Sequence, residues 1–120
     1  MLDVNIDRFD DIAVVVCKGR IVQSDDVFKF RDIVFAQEGA RVIALDFSEV
    51  QALGGGGLGM LAFLRHWADE HDIELNLLSP SVAVLYQLSR VPDVGIQITD
   101  PIDLMSPSTN HGARNYRCAA

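Results

Sequence analysis

Apolar and polar residues alternate along the start of the chain with the period of β-strands. Leu2 to Phe9 alternates roughly one to one, Asp10-Asp11 has turn composition, and Ile12 to Cys17 is an unbroken, mostly β-branched apolar run. Alternation predicts a half-buried strand, and a short apolar run bounded by turn residues predicts a more buried one. We therefore predict a hairpin of two strands, the second of which ends at Gly19.

Three later segments repeat their apolar residues at the spacing of an α-helix. The first is predicted to begin with Ser24 as N-cap, in front of two aspartates, and to stop at Gly39. The second is predicted over Leu58 to His71. The third is predicted to begin at Ser79-Pro80, with the serine as N-cap and the proline at the first helical position, and to end before Pro92.

Short apolar segments between these helices predict further strands, at Val42–Leu45, Glu74–Leu78 and Ile96–Ile98. Residues Phe47 to Leu53 are interpreted as a connecting segment. The predicted order is ββαβαβαβ. Strands that are joined through helices pair in parallel, so the pattern predicts a small α/β domain with a mixed sheet.

The length of 120 residues suits one domain, which we place at residues 1–101. Residues 102–120 have the composition of turns and linkers and are predicted to be a disordered tail. No apolar run approaches the roughly 20 residues of a membrane span, and the N-terminus offers Asp3 and Asp7 where a signal peptide would be basic. These features predict a cytoplasmic protein without direct membrane insertion.

The charge is strongly acidic, with a formal net value of −7. All 17 acidic residues and eight of the ten basic residues precede Leu104. Because non-specific binding to nucleic acids depends on basic residues that neutralise phosphates, we do not expect nucleic acid as a partner.

Catalytic and metal-binding patterns are weak. Cys17 and Cys118 form no CxxC pair, and His66 and His71 lie five residues apart, which places them on different parts of a helix. No serine lies in a nucleophile-elbow pattern. The sequence therefore predicts no enzyme, no cofactor and no metal site.

The most unusual stretch is the row of glycines at Gly54–Gly57. With Gly59 it satisfies the spacing GxGxxG, and a helix follows, whose N-terminal amides favour an anion. Two features argue against a dinucleotide site. The preceding strand is predicted to end near Asp46, so it does not run directly into the glycines. In a dinucleotide site the acidic residue that binds the ribose lies at the end of the next strand, whereas Glu74 lies at the beginning of that strand. Gly59 is followed by Met60, so a Walker loop is also excluded.

The run from Val42 to Leu61 resembles the central signature of STAS domains, the module of sulphate transporters and bacterial anti-sigma factor antagonists. That signature is a strand ending in Asp-Leu-Ser, a short linker, and Asp-Ser-Ser/Thr-Gly-Leu-Gly at the start of a helix. Val16–Val22 and Glu74–Pro80 are similar to further parts of the family pattern, so the resemblance spans about residues 2–100.

The resemblance implies a small mixed sheet with helices packed on one side. It also implies a switch, in which the unmodified antagonist binds a kinase-type anti-sigma factor and phosphorylation of the signature hydroxyl breaks the complex. Here Gly54 and Gly55 stand where the signature has Asp and Ser, and Gly56 stands at the phosphoacceptor position. Glycine has no hydroxyl, so this position has no phosphoacceptor.

Three functions remain open. The first is a non-catalytic interaction module of the antagonist type outside the usual phospho-switch, which binds an anti-sigma factor or related kinase-like regulator, other STAS proteins or itself. The second is a cytoplasmic accessory subunit of a membrane transport system, and the third is a sensor of a small anion or nucleotide at the glycines. The candidate partner- or anion-binding residues are Ser24, Gly54, Gly55, Gly56, Gly57, Leu58, Met60 and Phe63.

Overall fold

The computed structural model describes residues 2–91 and 94–99, so the predicted domain boundary at residue 101 and the predicted disordered tail over 102–120 lie outside the described residues. The described elements follow the predicted order. They are β1 (Leu2–Phe9), β2 (Ile12–Ile21), α1 (Ser24–Phe35), β3 (Val42–Leu53), α2 (Gly55–Glu70), β4 (Glu74–Leu78), α3 (Val82–Ser89) and β5 (Gln97–Thr99).

The strands form a sheet in which spatial order follows chain order, β1-β2-β3-β4-β5. β1 pairs with β2 antiparallel, and the other neighbouring pairs are parallel. Because crossovers between parallel strands are right-handed and all proceed in one direction along this sheet, they place the three helices on the same face. The predictions of a mixed sheet, an α/β domain and helices on one side are confirmed.

The main core lies between that face and the helices. Phe30 of α1 and Phe47 of β3 are fully buried, and their ring centroids are 5.7 Å apart. Leu61 and Leu64 of α2 and Val84 of α3 complete the layer that packs on the sheet. Cys17 is buried in the same layer, and burial, assisted by the charge of Asp46, raises the pKa of its thiol to about 12. The thiol is therefore neutral and behaves as a small apolar side chain.

A second, smaller apolar cluster lies on the sheet face opposite the helices. It consists of Val42, Ala44 and Leu78, which are buried, and of Ile12 and Val14, which are partly buried. We call these five residues the second face. Because side chains alternate along a strand, they come from the positions of β2, β3 and β4 that point away from the main core.

Two strands are longer than predicted. β2 continues through Gly19 to Ile21, and β3 continues through the predicted connecting segment to Leu53. The pairing of β2 with β3 shifts register between Val16 and Lys18 and again between Gly19 and Arg20. These irregularities break the period of two, so the apolar residues at the end of β3 recur every third position, and the sequence pattern does not reveal the strand.

The predicted helix starts also differ from the structure. Ser24 is the first residue of α1 rather than its cap, since the N-cap is Gln23, and α1 ends at Phe35, before Gly39. The N-cap of α3 is Ser81, not Ser79. The Ser81 hydroxyl accepts a hydrogen bond from the Val84 amide at 3.2 Å and donates one to the Val50 carbonyl at 2.6 Å. Ser-Pro-Ser offers two possible caps, and the bond to Val50 stabilises the second.

Replacement of Phe30 by alanine should destabilise the fold strongly, because a fully buried ring is lost and a cavity forms. We expect the free energy of unfolding to fall by about 3–5 kcal/mol. Phe28→Ala, on the same helix but at a side chain that is 49% exposed, is the matched control and should cost much less. Urea unfolding followed by circular dichroism measures both; equal losses would show that Phe30 is not a core residue.

Candidate functional site

The glycine row joins the end of β3 directly to α2. Gly54 is the N-cap of α2, and Gly55 to Gly57 form its first turn, so the helix begins three residues earlier than predicted. The Gly54 amide donates to the Ile21 carbonyl at 3.0 Å, and the Leu58 amide donates to the Gly54 carbonyl at the same distance. The start of α2 is thereby fixed against the ends of β2 and β3.

This geometry corrects one argument against a dinucleotide site. The predicted gap between strand and glycines does not exist, because β3 runs to Leu53. The second argument is unaffected, since Glu74 is the first residue of β4 and not its last. Across residues 2–91 and 94–99, no cluster of three or more histidine, cysteine, aspartate or glutamate side chains is arranged to hold a metal ion.

An apolar groove of about 330 Å³ lies beside the glycine row, between the N-terminal halves of α1 and α2. Its walls are aromatic and aliphatic, and Phe28 and Phe63 are 49% and 53% exposed. Asp25 and Asp26, in the first turn of α1, adjoin it along the chain. The groove is lined by Val22, Ser24, Val27, Phe28, Gly56, Gly59, Met60 and Phe63.

The groove brings together half of the predicted site residues. Ser24, Gly56, Met60 and Phe63 line it, while Gly54 and Gly55 lie next to it in the chain. Gly57 belongs to the first turn of α2 and is buried. The prediction that Leu58 edges a partner surface is wrong, because its side chain is 8% exposed and belongs to the main core.

Sequence reasoning missed the other wall of the groove, formed by Val22, Val27 and Phe28. A signal for it was present, because the apolar stripe of α1 is wider than one sheet can cover. Val27, Phe30 and Val34 are buried at helical spacing, and Phe28 lies beside that stripe on its exposed border. A wide stripe therefore indicates a surface as well as a core.

The glycines differ in the space around them. A β-carbon on Gly57 would lie 2.5 Å from Cδ1 of Leu53 and 3.1 Å from the Ile21 carbonyl oxygen, so no side chain fits without displacement of its neighbours. A β-carbon on Gly56 would meet only Cγ2 of Val27, at an ordinary 3.7 Å. Position 56 therefore has room for a side chain at the groove, and glycine leaves that room empty.

Of the three serines Ser24, Ser48 and Ser81, only Ser24 lines the groove. Ser48 donates to the Asp46 carboxylate at 2.7 Å, and Ser81 caps α3. Ser24 is exposed, and within the described part of the chain its side chain makes no capping bond. Ser24 and Gly56 both line the groove, Ser24 from α1 and Gly56 from α2.

None of the helices in the described residues is long and apolar enough to cross a membrane. No protein-family model matches the chain, and no curated protein gives a significant sequence match. Solved structures do match. The anti-sigma factor antagonist SpoIIAA of Bacillus, in its unphosphorylated form, is 13% identical over 94% of this chain and 97% of its own, with a TM-score of 0.71.

An anti-sigma factor antagonist from Mycobacterium paratuberculosis is 15% identical over 95% of both chains, with a TM-score of 0.72. RsbS from Moorella thermoacetica, in a singly substituted form, is 18% identical over 92% of this chain and 97% of its own, with a TM-score of 0.69. The phosphorylated form of SpoIIAA also matches, with a TM-score of 0.65. The chain therefore has the STAS fold of these antagonists.

Replacement of single glycines by alanine should have opposite effects on stability at the crowded position 57 and at the open position 59. Gly57→Ala should lower the free energy of unfolding by about 1–3 kcal/mol, because the new methyl group overpacks the contact with Leu53 and Ile21. Gly59→Ala, where nothing lies within 4 Å, should raise it by about 0.5–1 kcal/mol, because alanine favours the helix. Thermal and urea unfolding measure the difference; stabilisation by Gly57→Ala would contradict the crowding.

Proposed function

We propose that this chain is a non-catalytic protein-interaction module of the anti-sigma factor antagonist type, with the groove between α1 and α2 as its docking surface. The observation that carries the proposal is the position of the groove beside Gly56, at the start of α2 in the STAS fold. The known structures of SpoIIAA in unphosphorylated and phosphorylated forms associate this fold with a phosphorylation-dependent state.

The groove has the physical properties of a docking site for a protein. Phe28 and Phe63 each leave about half of their surface exposed, and Met60 lies between the core and the groove. Burial of a large apolar side chain stabilises a complex by about 1.5–3 kcal/mol. Aromatic side chains and methionine are also the residue types that interfaces favour. The expected counterpart is an apolar segment, with basic residues where it approaches the aspartates at the start of α1.

The glycine at position 56 distinguishes this module from a phospho-switched antagonist. A phosphate on a hydroxyl there would add a charge of about −1.5 to −2 at the edge of an apolar surface. Gly56 has no atom that accepts a phosphoryl group, so this position presents the same surface at all times. The module is then permanently competent to bind, or it assembles with homologues that do carry a hydroxyl.

The partner proposed for this surface is an anti-sigma factor or a related kinase-like regulator in the cytoplasm, with other STAS proteins or a second copy as further ligands. Affinity purification from the native host, with identification of the captured proteins, tests this choice. Capture of an anti-sigma factor that then binds the purified chain in a titration supports it. Capture of a transporter ATPase, or a small ligand that co-purifies, would instead support the transport-subunit or the sensor function.

Gly56→Asp should mimic the missing phosphate charge and weaken the identified complex at least tenfold, because an unpaired carboxylate would be buried in the interface. Gly56→Asn tests size without charge and should have a smaller effect. Gly39→Asp, at an exposed turn with nothing within 4 Å, controls for the change in net charge. Calorimetric titration provides the affinities; equal binding by Gly56→Asp and the unmodified chain would remove position 56 from the interface.

Met60→Glu should also weaken the complex at least tenfold, since a charge would face the apolar groove. His66→Glu is the control on the same helix, because the His66 side chain is 74% exposed and does not line the groove. Thermal unfolding of both variants separates interface from core. A large loss of stability in Met60→Glu would show that Met60 acts as a core residue rather than a contact residue.

A further inference from the structure

Among the residues that the structure describes, Ser24 is the one that brings a hydroxyl to the groove. An N-cap role would have occupied that hydroxyl with a backbone amide, but the N-cap of α1 is Gln23. The Ser24 side chain is exposed and makes no hydrogen bond with any other described residue. A free hydroxyl therefore lies on the surface proposed for the partner.

The groove has space next to this hydroxyl. Gly56 lines the opposite wall, and a β-carbon there would meet only Cγ2 of Val27, at 3.7 Å. A group attached to Ser24 from the α1 side can therefore extend into space that the glycine leaves empty on the α2 side. The missing side chain at position 56 and the free hydroxyl at position 24 belong to the same groove.

The ends of two helices make this groove favourable for an anionic group. α1 joins β2 to β3 and α2 joins β3 to β4, and both pairs of strands are parallel. Each helix runs back against its strands, so the two helices point in the same direction and begin at the same end of the sheet. Their N-caps, Gln23 and Gly54, supply no side-chain hydrogen bond. The first amides of a helix favour an acceptor with negative charge.

We propose that Ser24 is a phosphoacceptor that controls the groove in place of the hydroxyl that position 56 lacks. The inference rests on the proposed function, because the phosphoryl donor is a nucleoside triphosphate held by the kinase-like partner. The Ser24 oxygen forms a bond to the γ-phosphorus, and the bond from that phosphorus to the β–γ bridging oxygen breaks. The nucleoside diphosphate leaves, and the hydroxyl proton passes to a base of the partner.

The phosphate is expected to prevent docking. It adds a charge of about −1.5 to −2 to a groove whose walls include Phe28, Met60 and Phe63. An apolar segment that enters the groove would have to remove water from that charge, which is costly. Gly56 alone leaves the module permanently competent to bind, and Ser24 gives it a second state that does not bind.

Peptide mass spectrometry tests the modification directly. Trypsin cleaves after Arg20 and Lys29 and releases residues 21–29, in which Ser24 is the only residue with a hydroxyl. The full chain is incubated with the captured anti-sigma factor, ATP and magnesium. We expect this peptide to gain the mass of one phosphoryl group. A peptide that stays unmodified, or a phosphoryl group on a different peptide only, would overturn the proposal.

Calorimetric titration of the partner, before and after the ATP reaction, tests the effect on binding. The reaction should lower the affinity of the unmodified chain at least tenfold and that of Ser24→Ala less than twofold. Ser48→Ala is the matched control and should respond like the unmodified chain, because Ser48 is exposed but does not line the groove. Equal or tighter binding by the chain phosphorylated at Ser24 would overturn the switch.

The titration without ATP tests the proposed function separately. A partner that binds the chain but neither phosphorylates Ser24 nor loses affinity after the ATP reaction would overturn this inference and leave the proposed function intact. A chain that binds no anti-sigma factor before ATP is added would overturn the proposed function, and this inference with it.

Discussion

The candidate site depends on one close approach of backbone to backbone. The Ile21 carbonyl at the end of β2 accepts the Gly54 amide at 3.0 Å and would lie only 3.1 Å from a β-carbon on Gly57. α2 can begin directly on the sheet because Gly57 has no side chain at that point. From this contact α2 extends past α1 at the distance that leaves the groove between Phe28 and Phe63. A side chain at position 57 would push the start of α2 away from the ends of β2 and β3 and would change the width of the groove.

The other three glycines of the row, at positions 54, 55 and 56, are not required by the packing around them. Gly54 would give its β-carbon contacts of 3.5 Å or more, Gly55 has nothing within 4 Å, and Gly56 has only the Val27 methyl group at 3.7 Å. A β-carbon at any of these three positions would make only ordinary van der Waals contacts or none. Packing at the β-carbon therefore does not require glycine at positions 54, 55 and 56.

The elements that the sequence predicted well are those with an uninterrupted period. β1 and β4 have the predicted bounds, and the element order and the one-sided helices follow from the pattern. The end of β3 was missed because register shifts break the alternation, and the start of α2 was missed because glycines carry no apolar signal. For the site, periodicity identifies the apolar stripe of a helix but not which edge of the stripe faces the sheet. Leu58 was therefore assigned to the surface, and Phe28 was overlooked.

Three glycines in the first turn of α2 also set the local stability of the site. Each lowers the stability of a helical turn by up to roughly 1 kcal/mol relative to alanine, because the unfolded backbone has more conformations to lose. Intrinsic helix propensity therefore supports this turn less than the rest of α2, and the start of the helix depends on its hydrogen bonds and packing against β2 and β3. A partner at the proposed docking groove would therefore contact the part of α2 with the lowest intrinsic helix propensity.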